Sequence, residues 1–386
     1  MAEGDSKIRR LVRAIVLSLP IALLMAMMIT GGQPMPKEPL QIVGMIVAYV
    51  FTVIVFFLIA FTGRIYKYRS VFFIACAVAF VLTFIPNLIE TRGSMAVTQS
   101  DMIQGQTPFC HMVIPTTLIP AALSRTIIFP GSMVEGFASI GSMLVLWLGA
   151  SIALGRGWCS WACFYGGLDE GFSRIGRKPI LKNISRKWVY LPFAILVAIM
   201  LLSAAMLTPM YCAWLCPFKA VTEFEAVTSA TVLVQTIIFV SLFVGLVVVG
   251  PILTKRRTQC GLFCPMGAFQ SFTNKLNIFD IRIDPDKCVQ CGRCEISCPT
   301  FSIDRESIRK GKTRMTCTKC GKCVDECPKR AVSYHIKGTP VGVKPHIARM
   351  AFVYPAFLFL AIMAGGMISG AVYRILLLAT TGSMVK

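Results

Sequence analysis

Residues 288–299 read CVQCGRCEISCP, and residues 317–328 read CTKCGKCVDECP. Each run places three cysteines three residues apart, a fourth four residues later, and a proline directly after the fourth. The runs lie in a polar stretch, about 280–342, and hold eight of the chain's 16 cysteines. The sequence around them is of another kind. The chain has 386 residues, 55% of them hydrophobic and only 15% charged, with a mean hydropathy of +0.70. Apolar stretches at that density mark membrane spans, so a small polar domain is expected inside a membrane chain.

The doubled C-x2-C-x2-C-x3-C-P run is the bacterial ferredoxin signature for two [4Fe–4S] clusters. Three closely spaced cysteines wrap a tight turn around one cube, and the fourth, held ahead of proline, reaches the other. Cys288, Cys291, Cys294 and Cys327 are therefore expected to hold one cluster, and Cys317, Cys320, Cys323 and Cys298 the second. Gly292 and Gly321 let the backbone approach closely. Zinc ribbons use C-x2-C pairs without the third and fourth positions. Lys319, Lys322, Lys329 and Arg330 surround the second motif, either as a docking face for an acidic redox partner or as a solvated surface.

Apolar runs long enough to cross a bilayer lie near 14–30, 41–62, 71–88, 137–155, 188–207, 230–253 and 350–373. Pro20 and Pro86 fall inside them, which membrane helices tolerate. Segment 112–129, broken by Pro115, Pro120 and Arg125, reads as interfacial or re-entrant. The expected fold is an all-α polytopic membrane helical bundle of about seven spans with an inserted small α+β ferredoxin domain. It divides into an N-terminal transmembrane region with an outer loop (1–136), a transmembrane core (137–279), the ferredoxin domain (280–342) and a C-terminal span (343–386). Basic clusters at 7–13, at Arg64, Lys67 and Arg69, from Arg156 to Lys187, and at Lys255, Arg256 and Arg257 occupy alternate loops. The positive-inside rule then puts the N-terminus and the ferredoxin domain in the cytoplasm and the C-terminus outside, in the inner membrane. The N-terminal basic residues lead into an apolar segment without a small-residue cleavage site, as in a retained anchor. The net charge of +21 follows from such loops. No groove-reading motif accompanies it, and nucleic acid is excluded as a partner.

Six further cysteines form three C-x3-C pairs: Cys159/Cys163 (GWCSWACFY), Cys212/Cys216 (MYCAWLCPF) and Cys260/Cys264 (QCGLFCPMG). On a helix, residues four apart share a face with Cβ atoms roughly 5–6 Å apart. A disulfide needs roughly 3.5–4.5 Å. Two such pairs can instead surround one cubane. Cys159, Cys163, Cys260 and Cys264 follow the fourth and sixth spans, at one end of the bundle near the ferredoxin domain, and are expected to share a third [4Fe–4S] cluster. A Cu(I) or zinc site and inert packing cysteines are the alternatives. Cys212 and Cys216 follow the fifth span and are expected at the opposite face, where Cys110 and His111 lie in the outer loop. Those four are candidates for a fourth metal centre, with a disulfide or copper as alternatives. Re-entrant fifth and sixth spans would instead gather all three pairs on one side.

Polytopic spans, C-x3-C-P pairs at helix ends and a doubled ferredoxin motif ahead of a last span resemble a membrane iron–sulfur family. It includes the NapH and NosR types of nitrate and nitrous-oxide respiration and the CcoG type of oxidase assembly. The resemblance covers roughly residues 137–340. Phe164 departs from it, standing where the family has proline, and no large flavin-binding domain precedes the spans as in the NosR type. The resemblance implies electron transfer between the ferredoxin domain and the membrane, with a quinone, a redox partner protein or sister subunits as partners. The CcoG likeness implies a copper-reducing assembly factor instead, and a redox-sensing regulator is a third class. The three histidines, His111, His335 and His346, fall outside the proposed spans, which excludes paired histidine ligation of a membrane haem. Thr107 breaks a C-x-x-C-H haem attachment motif. Asp169 and Glu170 follow the first pair, for proton transfer near a quinone or for plain charge balance.

Overall fold

The computed structural model describes residues 7–30, 36–90, 119–125, 140–176, 178–182, 184–222, 227–341 and 345–385. Three long helices open the chain: α1 (Lys7–Thr30), α2 (Pro39–Thr62) and α3 (Ile65–Glu90). A short helix α4 (Ile119–Ser124) precedes α5 (Ile140–Leu154), α6 (Trp158–Trp161) and α7 (Phe164–Phe172). Then come α8 (Leu191–Met206), α9 (Lys219–Thr222), α10 (Ala230–Leu242), α11 (Gly250–Thr254) and α12 (Pro265–Leu276). The polar domain holds β1 (Phe279–Ile283), α13 (Arg293–Ser297), α14 (Arg305–Arg309), α15 (Lys322–Glu326) and β2 (Val332–Ile336). Helix α16 (Pro345–Thr381) closes the chain.

Among the described residues, six helices are long and apolar enough to span a membrane: Lys7–Met28, Pro39–Thr62, Ile65–Phe84, Lys187–Met206, Ala230–Thr254 and Pro345–Thr381. Six of the seven expected spans correspond to these. The remaining one, 137–155, is described as the 15-residue helix α5, which runs into a 3-10 turn at Gly155–Gly157. Segment 112–129 lies largely outside the described residues.

With lipid as the outer solvent, helices associate through close packing and small residues. Helix α16 lies against α2 and α3. A Cβ on Gly44 would meet the Ser369 carbonyl oxygen at 2.6 Å, and one on Gly370 would meet the Thr83 side chain at 3.0 Å. Phe357 packs at a tilt against both Phe56 and Phe72, with centroids at 5.0 and 5.4 Å.

The polar domain is anchored on this trio. Strands β1 and β2 pair antiparallel from Phe279↔Ile336 to Ile283↔Val332. Alternation along β1 buries Phe279, Ile281 and Ile283. Tyr334 stacks on Phe352 of α16 at 5.1 Å, and Asp325 accepts the backbone N–H of Tyr66 at 2.8 Å. The ferredoxin end of the bundle is thereby fixed at the start of α3.

Two segments turn back into the bundle instead of ending at that face. Helix α7 runs antiparallel to α3: Glu170 meets Arg69, Gly167 meets Phe73, and Phe164 stacks on Phe80 at 4.0 Å. Phe80 is fifteen residues into α3, so Cys163 sits about 20 Å along it from the ferredoxin end, at 1.5 Å per residue. The chain also reverses at Lys255 (φ 58°). Thr258 then donates to the Leu246 carbonyl at 2.6 Å, so Cys260 climbs beside the helix it has just left. Helix α12 descends from there along α8, with Phe272 edge-on to Phe193 at 5.8 Å.

The α3–α7 contact depends on Gly167, whose Cβ would strike the Phe73 carbonyl oxygen at 2.5 Å and the Ala77 Cβ at 2.6 Å. Gly167→Leu is expected to destabilise the fold by more than the ~1–3 kcal/mol usual for overpacking, because backbone must move, and so to lower the melting temperature in detergent sharply. Gly171→Ala, whose Cβ meets only the Ile74 side chain at 3.5 Å, should leave the melting temperature nearly unchanged.

Candidate metal centres

The two ferredoxin motifs fold so that each lends its last cysteine to the other. Cys288, Cys291, Cys294 and Cys327 line one recess, and Cys298, Cys317, Cys320 and Cys323 line another. The backbone does the same thing twice. Gln290 and Gly292 (φ 53° and 71°) flank Cys291, and Lys319 and Gly321 (φ 49° and 84°) flank Cys320. This left-handed conformation favours glycine at the second position of each pair. The cysteines ahead of proline, Cys298 and Cys327, are extended. Their sulfurs accept the N–H of Ser302 at 3.2 Å and of Ala331 at 3.3 Å.

The two recesses differ in surroundings. Cys291 is exposed, whereas Cys320 and Cys323 are buried against the bundle. Burial pushes the Cys294 and Cys320 thiols up to about 11, so metal binding there must displace protons. Four thiols per recess, N–H groups directed at sulfur and a backbone curved to admit a bulky group together fit a [4Fe–4S] centre. Lys319 is not a docking residue. It is 2% exposed, and its Nζ donates to the Leu154 carbonyl at 3.1 Å and to Asn274.

Cys159, Cys163, Cys260 and Cys264 also come together, each within electrostatic reach of at least one other. Helix re-entry folds them into the bundle beside the ferredoxin domain: the Arg257 backbone N–H donates to the Pro299 carbonyl at 2.8 Å, and a Cβ on Gly261 would lie 3.1 Å from the Phe301 ring. Cys163 and Cys264 are extended, with ψ of 103° and 115°, at the N-terminal ends of α7 and α12. Cys298 and Cys327 share that backbone conformation, with 115° and 113°, at the C-terminal ends of α13 and α15. The N–H of Gly166 bonds the Cys163 carbonyl at 3.0 Å, and that of Ala268 bonds the Cys264 carbonyl at 3.2 Å. Phe164, in the place of proline, still starts a helix directly after its cysteine.

Buried charges surround this set. Arg257 donates to the Cys159 carbonyl at 2.6 Å, to Ser160 Oγ at 2.7 Å and to Cys260 Sγ at 3.1 Å. Arg156 donates to the Cys260 carbonyl at 3.1 Å and to Ser271 Oγ at 2.7 Å. Asp169 accepts the N–H of Cys260 at 2.9 Å. Glu170 accepts from Arg69 at 2.7 and 2.9 Å and lies 3.9 Å from Arg257. Trp161, between Cys159 and Cys163 in sequence and fully buried, donates its indole N–H to the Lys319 carbonyl at 3.1 Å. That bond joins the first C-x3-C pair to the second ferredoxin motif. The arginines share a signal: each stands three residues before a C-x3-C pair, in Arg156-Gly-Trp-Cys159 and Arg257-Thr-Gln-Cys260.

Cys212 lies within a π-turn, Tyr211–Leu215, and Cys216 directly follows it. Expected apart from the other pairs, Cys216 packs into the apolar surroundings of both Cys159/Cys163 and Cys264. Phe218 stacks on Tyr165 at 3.9 Å. Cys110 and His111 lie outside the described residues. Among the described residues, no three His, Cys, Asp or Glu side chains converge on a single metal ion.

Spans and recesses together define a helical membrane protein with an inserted iron–sulfur domain of ferredoxin type. The 4Fe-4S dicluster domain family matches residues 280–332, and the 4Fe-4S binding domain family matches three times, at 136–183, 188–227 and 236–282. Over residues 136–332 the chain thus resembles the membrane-associated, ferredoxin-type 4Fe-4S proteins. It is similar to YccM of Escherichia coli, named as a candidate electron transport protein, with 25% identity over 44% of this chain and 48% of that one. It is 25% identical to the uncharacterized protein MJ0750 of Methanocaldococcus jannaschii, over 45% of this chain and 68% of that one. Protein NirI of Paracoccus denitrificans is 29% identical over 42% of this chain and 24% of its own length. The match thus spans about half the length of YccM and a quarter of NirI. No solved structure matches.

The exchange of fourth ligands makes a specific prediction for Cys298, which belongs to the first motif in sequence and to the second recess in space. Cys298→Ser should remove or alter the low-temperature EPR signal of the same centre as Cys320→Ser, and leave the centre altered by Cys288→Ser intact. Loss of the Cys288 centre in Cys298→Ser would refute the exchange.

Proposed function

We propose that this chain is a membrane-bound iron–sulfur electron-transfer protein that connects the ferredoxin domain with a second set of thiols inside the bundle. Each [4Fe–4S] group supplies a one-electron couple whose potential follows its charge, hydrogen bonds and burial. Cys288, Cys291, Cys294 and Cys327 hold the outer group, Cys298, Cys317, Cys320 and Cys323 the inner one, and Cys159, Cys163, Cys260 and Cys264 a third. The ferredoxin domain sits on the cytoplasmic side and meets a soluble donor or acceptor or a sister subunit. The bundle meets a quinone or a further redox subunit in the inner membrane. Cys216 shares the apolar surroundings of Cys159, Cys163 and Cys264, so Cys212 and Cys216 are candidates for a further centre on that same side of the bundle.

The observation that carries this reading is the Trp161–Lys319 bond at 3.1 Å. A hydrocarbon core of about 30 Å is too wide for one electron hop. Re-entry of α6 and α7 shortens the gap by carrying the Cys159/Cys163 pair into the core while keeping it bonded to the ferredoxin domain. The protein's residues hold thiolates at defined places, exclude water from the inner sets and direct N–H groups at sulfur.

Iron and acid-labile sulfide in the purified, anaerobically reconstituted chain test the count. About 12 iron atoms per chain are expected from three cubanes of four. About 8 should remain in Cys159→Ser/Cys260→Ser, with both ferredoxin EPR signals retained. A wild-type chain that binds only two cubanes' worth of iron would overturn the third site.

A further inference from the structure

Arg156 and Arg257 occupy equivalent places in two copies of R-x-x-C-x3-C, and each reaches across to the other copy. Arg156 leaves its own repeat to donate to the Cys260 carbonyl, and Arg257 leaves its own to donate to the Cys159 carbonyl and to Ser160. Both are buried, at 2% and 0% exposure. The third pair has proline at that position, in Pro209-Met-Tyr-Cys212. The crossed arrangement therefore belongs to the first and last pairs alone.

We infer that Arg156 and Arg257 are positioning residues that counter the charge of an anionic group on Cys159, Cys163, Cys260 and Cys264, and so set its reduction potential. This rests on the reading of those four cysteines as a third iron–sulfur site. Charge balance is the first argument. Arg69, Arg156 and Arg257 are all buried here with Asp169 and Glu170, while the other buried carboxylate among the described residues, Asp304, pairs with Arg314. Arg69 takes up both oxygens of Glu170, whereas Arg257 stands off at 3.9 Å and directs its donors at the cysteine segments. An uncompensated cation in an apolar interior is costly. The excess calls for an anion, and thiolate sulfur is the chemistry present.

Unused donors are the second argument. The Nε atoms of Arg156 and Arg257 and the side-chain amide nitrogen of Gln259, next to Cys260, are buried without an acceptor among the described residues. Buried donors normally have partners, and an acceptor-rich group on the neighbouring sulfurs would supply them. Arg257 also bonds Cys260 Sγ directly. A thiolate-ligated cubane carries net negative charge and gains more on reduction. Fixed cations and hydrogen bonds at its sulfurs therefore favour the reduced form and raise the potential. Removing either charge lowers the potential of the third site.

An EPR-monitored redox titration of the full-length chain in detergent tests this, using Arg156→Gln, Arg257→Gln, the double variant and Arg257→Lys. The two ferredoxin midpoints are expected to stay in place in every variant, which also reports intact folding. The third midpoint is expected to move to lower potential in each Gln variant, further in the double, and to return toward wild type in Arg257→Lys, which keeps the charge. Loss of the third signal in the Gln variants with its retention in Arg257→Lys also supports a requirement for charge. A third midpoint unchanged in both Gln variants overturns the proposal and leaves the site itself standing. A wild-type chain with only two signals overturns the reading of the site before any variant is made.

Discussion

Glu170 is the point on which the membrane core is assembled. Its carboxylate is fully buried, and the arginines around it come from different parts of the chain: Arg69 from α3, Arg174 from just beyond α7, and Arg257 from the turn after α11. Breaking such a pair leaves an unpaired charge in a low dielectric, at about 3–5 kcal/mol. Arg69 also donates to the Ser160 carbonyl at 2.6 Å. The same ion network therefore holds the turn carrying Cys159 and the turn carrying Cys260 against α3. Three segments far apart in sequence take one arrangement because their charges have no other place to go.

This dependence explains which features could be read from the sequence. The ferredoxin domain was legible because its ligands are local: three cysteines, a glycine and a cysteine–proline within twelve residues encode a turn of fixed shape. The long apolar helices were legible for the same reason, since hydropathy over some twenty residues is a local property. Re-entry is not local. An apolar stretch such as 137–155 reads the same whether it exits the bilayer or turns back beneath a neighbour. The turn is decided by Glu170 meeting Arg69 from a distant part of the chain, and by Gly167 fitting against Phe73.

The arginines show the same limit from the other side. Arg156 and Arg257 count as loop charges under the positive-inside rule, which treats each cation as a solvated marker of topology. In the structure both are buried and bonded to cysteine segments. Lys319, read as surface charge beside a cysteine, is likewise a buried tether to α5 and α12. Lys322 lies over the Tyr66 ring of α3, with its ammonium 5.3 Å from the centroid. Composition counts charges but cannot say which of them are sequestered. The spacing R-x-x-C-x3-C was the readable clue, because a cation repeated at one offset from paired thiols serves those thiols better than it serves a loop.

The ferredoxin domain is built almost symmetrically, yet its halves face different media, and the asymmetry gives the fold a direction. Around Cys291 the first motif is open to solvent. Around Cys320 the second is enclosed, with the Lys319 carbonyl accepting from Trp161 at 3.1 Å and from Tyr334 Oη at 2.9 Å. A single backbone oxygen next to a ligand cysteine thus receives one bond from the re-entrant C-x3-C segment and one from the domain's own sheet. Tyr334 in turn stacks on Phe352, and Trp161 meets the same ring edge-on at 5.9 Å. Exchange of the fourth cysteines ties the two motifs into one unit. An anchor on the second therefore positions the first, leaving it as the face presented outward while the second stays locked to the membrane core.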